Sequence, residues 1–148
     1  MKKFRFKLQT LLDQRQSIEE ALQAELGALL REESVELLRL QQLHKRLEQA
    51  WRYFDQLSVS VDSSATAFEV CDTWSKALRD DIKVQILTIE AVRSRVEIKK
   101  SEVVEAMKQR KVIEALRDRK EREYLREQVL IEQNTLDEIA SLAYARRL

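Results

Sequence analysis

Residues 78–106 read LRDDIKVQILTIEAVRSRVEIKKSEVVEA. Within them Leu78, Ile82, Ile89, Val92, Val96, Val103 and Ala106 recur at steps of 4, 7, 3, 4, 7 and 3. A helix turns once per about 3.6 residues, so these steps keep all seven side chains on one narrow stripe, the seam of a coiled coil. A half-buried strand would instead alternate apolar and polar residues. The fold class follows from this stretch: helical, with one face reserved for another helix.

Upstream the same spacing returns. Leu26, Leu30, Leu37, Leu40, Leu47, Trp51 and Phe54 follow one another at 4, 7, 3, 7, 4 and 3, passing over Glu33 and His44. Nearer the start, Leu8, Leu11, Ile18, Leu22 and Leu29 trace a slightly different stripe, which predicts a register shift near Gly27. Between the two helical stretches lies Ser58-Val59-Ser60-Val61-Asp62-Ser63-Ser64-Ala65-Thr66, dense in residues that bond to nearby backbone and favour turns and caps. Ser63 or Ser64 can cap the second helix, with Glu69 in or near its first turn. A strand through Val59 and Val61 would have no partner.

The layout is therefore a single coiled-coil domain over residues 1–148, with a helix at about 5–57, a turn at about 58–66 and a helix at about 67–146. Two long helices joined by a short connection lie antiparallel. The fold is all-α, a long antiparallel two-helix coiled-coil hairpin. Composition agrees: the chain has no proline, one glycine and 36% charged residues. Few turns are possible without the residues that make them. Charge agrees too. Residues 11–57 hold six basic and nine acidic side chains, and residues 93–120 hold ten basic and five acidic, so facing helices carry opposite signs.

The arms are unequal. Folding at the turn places Leu8 near Leu116, and the second helix continues past the first as a C-terminal helical overhang. At ~1.5 Å per residue it would reach ~120 Å, with the last ~30 residues unpaired. Lys108 to Gln128 is almost entirely polar, and an apolar stripe then returns at Leu125, Val129, Leu136, Ile139 and Ala143. That stripe is read as a seam awaiting a partner, against the alternatives of folding back or pairing with a second copy.

Several function classes are excluded on inventory. Lysine plus arginine number 27 and aspartate plus glutamate 26, without the basic excess a nucleic-acid binder needs. No apolar run reaches the roughly 18 residues of a membrane span, and the basic opening is not followed by the apolar core of a signal peptide. A lone cysteine, Cys71, suits a reducing compartment and reads as a small half-buried residue. His44 is the single histidine and is placed on the seam. No second histidine or cysteine lies at metal-ligand spacing, and one glycine cannot build a phosphate loop. The chain reads as no enzyme, with no catalytic residue, metal or cofactor.

Binding is the remaining chemistry. Trp51, Tyr53, Phe54, Phe68 and Trp74 flank the turn, and a two-helix structure cannot bury five large rings, so at least two should be exposed. At the N-terminus Phe4 and Phe6 alternate with Arg5 and Lys7, and packing against the second helix or a protein partner is favoured over lipid.

Three stretches resemble a known family, the flagellar export protein FliJ. They are the opening Phe4-Arg5-Phe6-Lys7-Leu8-Gln9-Thr10-Leu11-Leu12, the run Glu105-Ala106-Met107-Lys108-Gln109-Arg110-Lys111 with Leu116, and the closing Leu136-Asp137-Glu138-Ile139-Ala140 with Arg146-Arg147. The resemblance implies a cytoplasmic component of the flagellar type III protein export apparatus, peripherally associated with the inner membrane at the flagellar base. It implies a coiled-coil stalk like the gamma subunit of rotary ATP synthases. Such a stalk binds the export ATPase hexamer and promotes its assembly and activity. It links that ring to the cytoplasmic domain of the membrane export gate and to export chaperones. On this analogy Leu8, Leu11, Leu136 and Ile139 belong to the ATPase-facing end, and Trp51, Trp74 and Leu78 to the gate-facing tip. The chain alone is expected to be a monomer. Two other readings share the architecture: the stalk of a virulence type III secretion system, and a generic coiled-coil tether without an ATPase.

Overall fold

The computed structural model describes residues 2–59 and 65–148. Helix α1 is Gln9–Val59, 51 residues, and helix α2 is Ala65–Arg147, 83 residues. The two pack against each other, and the described residues contain no strand. The expected turn centres on residues 60–64, and these, with the capping Ser63 or Ser64 and Val61, lie outside the described residues. Ser58, Val59, Ala65 and Thr66 are helical, so both helices run further toward the turn than the pattern placed them. α1 opens at Gln9, where Gln9 N donates to Phe6 O at 3.2 Å and Leu12 N to Leu8 O at 2.9 Å. α2 closes on Arg146 and Arg147, cations suited to the negative end of the helix dipole.

The contacts divide the chain into two units, residues 22–102 and residues 1–21 with 103–148. In the first unit the seam is mostly apolar, interrupted by Glu33 and Glu36. Leu47, Ala50, Leu78 and Ile82 form its core, with Leu40 and Leu43 packed on it. Further along α2, Ile89, Val92 and Val96 are 4%, 2% and 3% exposed. These are the α2 positions the sequence assigned to the seam. The helices run antiparallel, since Gln85 reaches Glu36 while Lys99, further on, reaches Glu25. Cross-helix ion pairs place the base on α2 and the acid on α1, as the charge counts anticipated: Arg93 with Glu33 at 3.0 Å, Arg95 with Glu32 at 2.5 Å, Lys99 with Glu25 at 2.7 Å.

In the second unit the seam is polar. Leu12 and Ala106 are buried, but Glu19 is buried between them and bonds to Arg110 of α2, which also pairs with Glu114 at 2.5 Å. Arg15 donates from Nη1 to Gln109 Oε1 at 2.8 Å. The Nε atoms of Arg15 and Arg117 are buried with no hydrogen-bond partner in the structure. A buried pair like this repays little of its desolvation.

The seam of α1 differs from the one read in the sequence. It runs through Leu12, Arg15, Glu19, Leu22, Leu26, Leu29, Glu33, Glu36, Leu40, Leu43, Leu47, Ala50, Phe54 and Leu57 at alternating steps of three and four, Phe54 being the most exposed of them. Leu30, Leu37 and Trp51 instead flank it and are 41%, 38% and 52% exposed. His44 shares that flank and is exposed, so it is not a seam residue. No register shift occurs near Gly27. The polar members explain the misreading, because they reach partners on the other helix: Glu36 accepts from Gln85 Nε2 at 2.5 Å and Glu19 from Arg110.

Candidate functional site

Helical spacing decides which side chains reach solvent. In the heptad written a to g, with a and d on the seam, Trp51 falls at e and Trp74 at g, on opposite flanks of the hairpin. Trp51 shares a cleft of about 120 Å³ with Phe54, Cys71, Asp72, Ser75 and Arg79, and Trp74 does not line it. Here Ser75 donates to Asp72 O at 2.9 Å and Arg79 to Ser75 Oγ at 3.2 Å. Phe54 and Phe68 meet edge-on, centroids 5.1 Å apart at 74°. Trp51, Tyr53 and Trp74 are 52%, 52% and 44% exposed, so more than two of the five rings do face solvent. Leu78, the third residue assigned to the tip, is 5% exposed and belongs to the core with Leu47 and Ala50. It can act on a partner only through the shape of the surface above it.

The residues assigned to the other surface separate into two groups. Leu8 precedes α1 and is 41% exposed, and Leu11 is half-buried. Close by, the Phe4 ring lies against Tyr124 at 5.6 Å, so Phe4 packs on the second helix. Leu136 and Ile139 lie further along α2, Leu136 about 18 Å past Tyr124. From Leu125 onward every described residue but Gln128 is exposed. Leu125, Val129, Leu136 and Ile139 show 56%, 53%, 64% and 58% of their surface. Their stripe is one residue out of phase with the seam that ends near Tyr124, about 100° round the helix. A helix laid on it would therefore not continue the line of α1.

Among the described residues no three of histidine, cysteine, aspartate and glutamate are grouped to hold a metal, and no helix is long and apolar enough to cross a membrane. Cys71 is a buried free thiol at 4% exposure, packed as a small apolar residue. Two cations are tuned by their partners. Hydrogen bonds to Glu102 and then Glu25 hold the Lys99 ammonium above its usual 10.5, and the Glu19 carboxylate pushes Arg110 further up. Both are ties between or along the helices. Sequence reasoning missed Glu19, Glu36 and Gln85 as seam residues; their three-and-four spacing was the available signal.

A helical pair whose second member continues as an unpaired amphipathic helix, with exposed rings beside the turn, defines a coiled-coil interaction protein. A family model described as Flagellar FliJ protein matches residues 4–148, and the chain belongs to that family. It is thus a coiled-coil protein of flagellar export. Searches of curated proteins and of solved structures find no match.

Proposed function

We propose that the chain is the stalk of the flagellar export ATPase. The unpaired stripe of α2 carries the reading: Leu125, Val129, Leu136 and Ile139 present a heptad face to solvent with nothing laid on it. Apolar residues at this spacing lose their exposed area only when another helix or a ring of helices closes over them. The partner on this surface is the ATPase hexamer, with Leu8 and Leu11 at the base of the overhang and Leu136 and Ile139 along it. The chain acts by binding and holds no catalytic group of its own. The exposed Trp51 and Trp74 form the surface for the cytoplasmic domain of the membrane export gate, shaped from beneath by Leu78. Export chaperones are further partners, and the protein works in the cytoplasm, peripheral to the inner membrane.

ATP hydrolysis by the export ATPase of the same organism, with and without the chain, tests this. Stimulation by the full chain that is lost on truncation after Gln128 supports the stalk. Absence of stimulation, where the ATPase assembles its ring, would leave a tether or a different secretion system.

A further inference from the structure

α2 carries a second heptad stripe that neither the seam nor the overhang uses. Val70, Ala77, Val84, Ala91 and Ile98 recur every seven residues without a break, all at heptad position c. Val70, Val84 and Ile98 are 63%, 63% and 61% exposed, and both alanines face solvent. A merely solvated face would not read this way. The neighbouring b row, Lys76, Lys83, Glu90 and Glu97, is charged throughout. Alternation of large and small residues along one line is the pattern into which another helix interdigitates.

The stripe borders two open grooves made jointly with α1. One, about 340 Å³, surrounds Val84 and is rimmed by Arg39, Arg46 and Asp81. The other, about 460 Å³, surrounds Ile98 with Ala28 and Leu29. The charges on their rims differ. Beside Ile98, Arg95 is taken by Glu32, and Lys99 by Glu25 and Glu102. Beside Val84, Arg39 pairs with Glu36 of its own helix, and Arg46 has no ion pair among the described residues. At the Ile98 end the basic side chains are paired, whereas at the Val84 end Arg46 is without an ion pair among the described residues, with Asp81 on the same rim.

We propose that this face docks one amphipathic helix of another protein, apolar at heptad spacing and carrying a carboxylate opposite Arg46. The helix completes a three-helix bundle with α1 and α2. This site does not use the overhang and does not rest on the stalk reading.

The test uses the full chain bearing W51F, which leaves Trp74, beside the stripe, as the sole tryptophan. Two synthetic helical peptides of about four heptads, identical in their leucine and alanine face, carry either glutamate or lysine on the flank. Binding is followed by Trp74 fluorescence, with circular dichroism confirming helicity of each variant. The glutamate peptide should bind about tenfold tighter than the lysine peptide, and V84E/I98E should abolish binding. R46E, which leaves the stripe intact, should erase the preference. Equal binding of the two peptides, binding by neither, or full binding to V84E/I98E would overturn the proposal. So would a dimer of the chain alone, seen by sedimentation, that V84E/I98E dissociates, since the occupant would then be a second copy.

Discussion

α2 carries the same kind of apolar residue at the same spacing in two places, and the two stretches behave differently. Leu78, Ile82, Ile89, Val92 and Val96 are 2–8% exposed, whereas Leu125, Val129, Leu136 and Ile139 are 53–64% exposed. Propensity and pattern are shared, so the difference lies in what stands opposite. In the first stretch α1 supplies leucines and matching carboxylates. In the second, α1 has not yet begun, and the stripe has turned away from the seam. A heptad pattern therefore states that a helix wants a partner, and the length of the other arm states whether the chain provides one.

The largest way to break this comparison is truncation inside the seam. Ile89→Ala should cost about 2–4 kcal/mol in urea unfolding, whereas Ile139→Ala should stay within about 0.5 kcal/mol. Equal effects at the two sites would show that the overhang is packed in solution.

Next in size is the polar seam of residues 1–21 with 103–148. R110L leaves Glu19 buried beside an apolar neighbour and should lower the melting temperature clearly. E19L/R110L should recover it to the wild-type level or above, because an apolar pair avoids the desolvation that the ion pair repays poorly. A double variant as unstable as the single one would contradict the account of this seam.

Gly27 sharpens the point about register. A Cβ built there meets nothing nearer than the flexible end of Arg31 at 3.5 Å, so the packing does not require glycine. Gly27→Ala should stabilise the chain by about 0.5–1 kcal/mol by thermal melting, through helix propensity. Destabilisation would revive a break in the helix at this point.

The smallest effect is removal of the overhang. Truncation after Gln128 should leave unfolding of the remaining chain within about 0.5 kcal/mol of the full protein, since those residues bury almost nothing.

These regions also show what the sequence could and could not disclose. The apolar positions of the α2 seam were legible one by one from their spacing, but its polar members, Gln85 among them, were not. The α1 seam was legible in part: Leu22, Leu26, Leu29, Leu40 and Leu47 were read onto it, and so were Leu30, Leu37 and Trp51, which lie beside it. α1 carries leucines off its seam as well as on it, such as Leu30, Leu37 and Leu38, and Glu19, Glu33 and Glu36 occupy places where pattern reading expects apolar residues. Their partners Arg110, Arg93 and Gln85 lie on the other helix, out of sight of a local spacing rule. The tip was legible as aromatic, but its division into a Trp51 flank and a Trp74 flank needed the true register. The burial of Leu78 followed from its own seam spacing.

Amide hydrogen exchange along α2, with and without the export ATPase, tests the central claim most directly. For the chain alone, residues 78–96 should be strongly protected and residues 129–145 should exchange rapidly, as a lone helix of that length is marginal in water. Adding the ATPase should protect 129–145 and leave 78–96 unchanged. Protection of the overhang in the chain alone, or no change there when the ATPase ring is present, would contradict the account.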